Sequence, residues 1–170
     1  MTAQEREILY YNGETYWLST EPLKPILDLM GVEKLDFPSC STSCRRNYIG
    51  IWEIENDKLF LIDLKAHSGS TDEVSIDVIF PNQKKVFAGW FTGEIKIPQG
   101  KMLHYEHMGY MSIYEKDLFL EFKKGVLVGN REVDNTKTFD PDDPMGWLKL
   151  AKHLYKINLK NLKKGKPLKP

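Results

Sequence analysis

Cysteine is scarce. The 170 residues hold two, Cys40 and Cys44, too close together for a disulfide framework, and this fits a compartment that keeps thiols reduced. No apolar run reaches about 18 residues, and the opening stretch Met1 to Glu7 has no apolar centre. Neither a membrane helix nor a secretory leader is expected, and the chain reads as cytoplasmic. The glycine patterns GxxxxGK[ST] and GxGxxG are missing, which removes the standard nucleotide loops, and so is HExxH. Acid is missing from one end: after Asp143 no Asp or Glu occurs, while Lys149, Lys152, Lys156, Lys160, Lys163, Lys164, Lys166 and Lys169 follow. With totals of 24 basic and 24 acidic residues, positions 1–148 carry 16 basic and 24 acidic side chains, a net of −8. A basic end of this kind serves nucleic acid or an anionic surface, or it is a solvated helix end facing an acidic body or an acidic protein partner. The absence of arginine among these lysines favours the second.

A chain of this length buries about 70% of its unfolded surface and needs no disulfide or metal staple. Its clearest feature runs from Ser39 to Leu64, SCSTSCRRNYIGIWEIENDKLFLIDL. A polar lip of hydroxyl residues, two cysteines and two arginines leads into a hairpin with Asn56-Asp57 as its turn. That turn sets Ile54 opposite Leu59 and Trp52 opposite Leu61 on one face, and pairs Ile51 with Ile62 and Ile49 with Leu64 on the other. Strands apolar on both faces belong in a sheet covered on both sides.

The flanking sequence reads as further hairpins and short helices. Asn12-Gly13 turns the segments 7–11 and 14–18 into a hairpin, since both turn residues tolerate positive φ. Ser19 or Thr20 can cap a helix with Pro22 in its first turn and Leu23, Ile26, Leu27 and Met30 as its stripe, ended by Gly31. Thr71 can cap a short helix over Asp72–Phe80, with a β-branched strand as the rival reading. Gly93 to Pro98 alternates as a strand, Pro98-Gln99-Gly100 turns it, and Met102–Glu106 returns. A three-residue turn, Lys123-Lys124-Gly125, sets Phe122 opposite Val126 and Leu120 opposite Val128. Trp147, Leu150, Ala151, Leu154 and Ile157 fall at helical spacing near the end. The expected class is α+β: one domain over 1–160, a mainly antiparallel curved sheet or partly closed barrel of six to eight strands, an early short helix, a C-terminal amphipathic helix, and a basic flexible tail over 161–170.

Four places carry candidate chemistry. Ser43, Arg45 and Arg46, with Tyr48, Tyr105 and Tyr110, can form an anion nest walled by rings, as guanidinium forks and aromatic faces do for nucleotides. The alternative is a loop whose arginines pair with the acidic body. His104, Glu106 and His107 form an acid–base set in which a histidine beside a carboxylate suits general base work; the bland alternative is a hydrogen-bonded pair in a tyrosine-rich layer. Cys40 and Cys44 with His104 and His107 offer two sulfurs and two nitrogens for zinc, though the spacing is looser than the usual knuckle. Cys44, next to Arg45 and Arg46, is a candidate nucleophile if His107 or His67 reaches it.

The pieces STSCRRNYIGIWEIENDKLFLIDL, VFAGWFTGEIKIPQG and HMGYMSIYEKDLFLEF together resemble a family of small uncharacterised bacterial proteins. The likeness covers most of residues 5–135. In it Arg46, Tyr48, Gly50, Trp52, Glu53 and Ile54 match an R-x-Y-x-G-x-W-E-I hairpin, and His107 to Tyr110 match an H-M-G-Y segment. The resemblance implies one bacterial domain, and it brings no activity, cofactor or site with it. The expectation is therefore a non-catalytic protein that binds a small anionic ligand such as a nucleotide signal, without cofactor or metal and compatible with oligomers. The alternatives are a metal-independent hydrolase or phosphodiesterase using the histidine pair, and a protein-interaction module.

Overall fold

Asn12 and Gly13 take φ of 52° and 76°, the two positive values a tight hairpin turn requires. They join β1, Glu7–Tyr11, to β2, Glu14–Leu18, in antiparallel register. The computed structural model describes residues 2–32, 35, 41–66, 74–140, 142, 143 and 146. The early helix α1 is short, Lys24–Leu29, and no side chain caps it. The expected cap residues serve elsewhere: Ser19 donates its backbone N–H to the Lys96 carbonyl at 2.8 Å, and Thr20 Oγ1 accepts from the Lys96 N–H at 2.9 Å. They tie the end of β2 to a distant strand, which outweighs helix capping. Leu23 and Leu27 are buried while Met30 is exposed, so the apolar stripe is narrower than the spacing predicts.

The central hairpin consists of β3, Ile49–Glu55, and β4, Lys58–Lys65. Ile54 lies opposite Leu59 and Trp52 opposite Leu61, as expected, and beyond them the register changes. A bulge between Ile51 and Trp52 sets Ile51 against Asp63, Gly50 against Leu64 and Ile49 against Lys65. The expected Ile51–Ile62 and Ile49–Leu64 pairs are therefore wrong by one residue. The extra residue keeps Leu61 and Leu64, both buried, on the core face of one strand despite their odd spacing. β3 also pairs in parallel with β1, matching Leu9 to Trp52.

The segment expected to be a helix over Asp72–Phe80 holds only a 3₁₀ turn, Ile76–Val78, capped by Ser75, whose hydroxyl accepts from the Asp77 N–H. The proposed Thr71 cap lies outside the described residues. β5, Val86–Phe87, pairs with β4. The turn expected at Pro98-Gln99-Gly100 is a bulge instead. β6 runs unbroken over Gly93–His104, with Gly100 at a φ of 77° and its register against β7, Ile113–Lys123, shifted between Gln99 and Met102. A glycine in that conformation lets the strand absorb an extra residue without reversing. The turn into β8, Val126–Asp134, has two residues, Lys124 and Gly125, both at positive φ. Lys123 faces Val126, Phe122 faces Leu127 and Leu120 faces Asn130, correcting the three-residue turn.

The eight strands of the described residues form one mostly antiparallel sheet in the order β2-β1-β3-β4-β8-β7-β6, with β5 off this path, and it does not close into a barrel among them. β4 and β8 share one ladder pair, Lys58 with Val126, which divides the strand order into a β2-β1-β3-β4 wing and a β8-β7-β6 wing. One core draws on both, with Leu9, Leu18, Trp52 and Leu61 from the first and Ile95 and Phe122 from the second. No helix among the described residues is long and apolar enough to cross a membrane. The expected C-terminal helix and the 161–170 tail lie outside the described residues.

Candidate functional site

Arg46, Tyr48, Gly50, Trp52 and Ile54 alternate along the chain. The last three lie in β3, where a strand sends alternate residues to one face, while Arg46 and Tyr48 precede it around a turn with Asn47 at a φ of 63°. Tyr48, Trp52 and Ile54 are core residues, so this R-x-Y-x-G-x-W-x-I series faces inward. Glu53, out of phase with it, turns to the other face and pairs with Lys85 at 2.6 Å. Glu7 enters the same interior from β1 and is fully buried, 0% exposed. One of its oxygens accepts from the Trp52 indole N–H at 2.5 Å, and the other stands 3.2 Å from Arg46 Nε. Gly50 makes room for them: a side-chain carbon there would collide with Glu7 Oε2 and Trp52 Nε1.

Arg46 spends its remaining donors on other segments. Nη1 donates to the Tyr110 hydroxyl at 2.8 Å and stands 3.5 Å from Glu21 Oε1, while Nη2 donates to the Glu5 carbonyl at 2.9 Å. Its guanidinium also lies 5.3 Å from the centre of the Tyr48 ring. The Tyr110 hydroxyl reaches Glu21 Oε1 at 2.9 Å. The Arg46 side chain is 8% exposed and that of Glu21 is 25%, so of the charged members Glu21 is the one most open to water.

The energetics follow from burial. Taking a carboxylate out of water favours its neutral form. Burial pushes Glu7 up to about 7, against the opposing pull of Arg46 and the Trp52 N–H and with the help of the Glu21 charge. The carboxylates hold Arg46 firmly protonated, overcoming its own burial. Tyr48 and Tyr110 are pushed far up, by burial first, and stay neutral. Burial also pushes the Cys44 thiol up and outweighs the Arg46 charge, and Sγ contacts the Tyr48 carbonyl at 3.2 Å. A buried thiol above its ordinary range is a poor nucleophile, which corrects the expectation drawn from its arginine neighbours.

The N-terminal segment joins the lip to the H-M-G-Y loop. Gln4 donates its backbone N–H to the Gly109 carbonyl at 2.9 Å, and its side chain accepts from the Arg45 N–H at 2.9 Å and donates to the Thr42 carbonyl at 3.1 Å. Ser43 donates its hydroxyl to Glu5 Oε1 at 2.7 Å. Of the six expected ligand residues, Arg46, Tyr48 and Tyr110 come together, but as a buried internal network. Arg45 is exposed, with no side-chain ion pair among the described residues. Tyr105 is 57% exposed and its hydroxyl meets His107 Nδ1 at 2.9 Å. His104 stands 3.7 Å from Glu106 and packs against Phe139, so each histidine engages a different neighbour. Cys40 and His67 lie outside the described residues, and among those described no three His, Cys, Asp or Glu groups gather as metal ligands do.

Glu7 and Glu21 are the members that sequence reasoning missed. A signal for Glu7 existed: it is in phase with Leu9 on the buried face of β1. No family model matches the chain, and neither a curated protein nor a solved structure matches it.

Proposed function

We propose that this chain is a non-catalytic binding domain for a small anionic ligand, received at the junction of the polar lip and the H-M-G-Y loop. One observation carries the reading: Gln4 stitches together two polar segments, 41–46 and 105–112, that are far apart in sequence. Each contributes a side chain suited to recognition. Arg45 offers an exposed guanidinium, able to grip phosphate or carboxylate with two parallel hydrogen bonds. Tyr105 offers an exposed ring on which a base can stack. Arg46 and Tyr110 sit behind them as framework, since their polar atoms are engaged internally. The histidines support binding over paired-histidine hydrolysis, because they engage different neighbours: His107 meets the Tyr105 hydroxyl, and His104 stands by Glu106 and Phe139.

Thermal unfolding of the full chain with nucleoside mono- and polyphosphates, inorganic phosphate and small carboxylates tests the reading. At least one of them should raise the midpoint, by mass action on the folded state. Arg45→Ala and Tyr105→Ala should each lose that rise while keeping the ligand-free midpoint. If no anion stabilises the protein, or both variants respond as the wild type does, the proposal fails.

A further inference from the structure

We infer that Glu7 is a proton-sensitive pin that locks the polar lip and the H-M-G-Y loop when neutral and loosens them when ionised. The geometry sets this up because one buried cation serves two carboxylates. Arg46 stands 3.2 Å from Glu7 and 3.5 Å from Glu21. With Glu7 neutral, Arg46 and Glu21 balance each other, and Glu21 holds the Tyr110 hydroxyl. With Glu7 ionised, the interior carries one negative charge too many. Two carboxylates drawing on one guanidinium repel each other strongly at low dielectric. The excess is relieved at the weakest point, and that is Glu21: it has the longer contact with Arg46 and the only water-exposed side chain of the three. Releasing Glu21 removes a partner from Tyr110 and from Arg46, the residues that bridge loop and lip.

The ionisable surroundings of Glu7 are few. From the segment before β1 comes Glu5, from the connection after β2 Glu21, from the lip Cys44 and Arg46, from the residue just before β3 Tyr48, and from the loop Tyr110. β3 adds only the neutral Trp52 and Gly50, and β2 sets Leu18 opposite. Tyr48, Tyr110 and Cys44 are all held above their ordinary ranges and Arg46 stays charged. Glu7, pushed up to about 7, is the shifted group of this cluster that changes charge near neutral pH. The inference does not depend on what the junction binds.

Hydrogen exchange from pH 5.5 to 8.5, corrected for the intrinsic pH dependence of exchange, tests the pin. In the wild type, protection of residues 41–48 and 105–112 should fall together, by about tenfold or more, the factor that one unit of linked pKa shift represents. The midpoint should lie near 7, and Glu7→Gln should hold both segments protected throughout. Isotope-edited infrared spectroscopy of the wild type gives a second readout that needs no variant: a protonated carboxylic acid band should persist at pH 6 and vanish by pH 8.5. A flat profile in the wild type overturns the inference. So does a transition that survives in Glu7→Gln, which would assign it to a group other than Glu7, and so does the absence of the acid band.

Discussion

Among the described residues two buried carboxylates face an arginine, and they are provided for very differently. In the β6–β8 wing Glu94 receives a forked pair of hydrogen bonds from Arg131, at 3.1 and 3.0 Å. That guanidinium lies over the Phe119 ring at 3.8 Å, and its side chain is 47% exposed. In the β1–β3 wing Glu7 gets a single side-on approach from Arg46 Nε. Arg46 is almost wholly buried and gives its other donors to Tyr110 and Glu5. The first pair is a half-exposed clamp that reaches from β8 over the intervening β7 to β6. The second is a shared charge in the interior, where desolvation costs several kcal/mol per ion. Ion pairing alone therefore does not tell a brace from a strained, responsive group; the number of donors and access to water do.

The sharpest way to break the comparison is to remove each arginine. Arg46→Met strands Glu7 and Glu21 beside each other and should cost about 3–5 kcal/mol, the usual penalty for orphaning a buried charge. Arg131→Met should cost about 1–2 kcal/mol, because water can replace a half-exposed partner and only the ring contact and a screened pair are lost. Urea unfolding at pH 8 measures both. Equal losses would mean that exposure of the cation does not set the cost.

A somewhat smaller effect is expected from pH alone. Burial pushes the Glu7 carboxyl up from its ordinary 4.5 to about 7, so the folded state binds this proton more tightly than the unfolded chain does. Its contribution is complete below about pH 4.5 and is lost as pH rises through 7, the reverse of a salt-bridged carboxylate. The loss amounts to roughly 3 kcal/mol, at about 1.4 kcal/mol per pKa unit. The difference in unfolding free energy between the wild type and Glu7→Gln, followed from pH 5 to 8.5, should change by that amount. A constant difference would return Glu7 to the behaviour of an ordinary carboxylate.

What the sequence made legible divides along the same line. Local chemistry placed the turns at Asn12-Gly13 and Asn56-Asp57, where adjacent residues must both accept positive φ. It failed wherever a strand carried one residue too many. The bulge at Ile51 and Trp52 is hidden because Ile62 and Asp63 both turn outward, and Gly100 reads as a turn because Pro-Gln-Gly suits one. At the site, Arg46 and Tyr110 stood out as functional types, but their partners come from non-local pairing. The parallel match of β1 to β3 brings Glu7 to Arg46, and no local pattern in either segment announces it.

The finest test of the two wings concerns space rather than charge, and it needs only a methyl group. Gly50 and Gly129 both lie in strands, β3 and β8, and neither requires a positive φ. They differ in what a Cβ would meet. At Gly50 it would run into the Glu7 carboxylate and the Trp52 indole nitrogen, two atoms fixed by their mutual hydrogen bond. At Gly129 the nearest atom is Glu121 Oε2 at 3.9 Å, an ordinary contact with an exposed side chain. Gly50→Ala must push the indole and carboxylate apart, adding overpacking to a lost buried hydrogen bond, and should cost about 1–3 kcal/mol. Gly129→Ala stiffens the unfolded chain without obstructing the folded one, so its stability should stay within about 0.5 kcal/mol of the wild type or rise slightly. Because Gly50→Ala displaces the Trp52 N–H from Glu7, it should also blue- or red-shift the Trp52 emission, whereas Gly129→Ala should leave the spectrum alone. If Gly50→Ala proved as mild as Gly129→Ala, the Glu7–Trp52 contact would have slack, and the tight interior that makes Glu7 responsive would lose its physical basis.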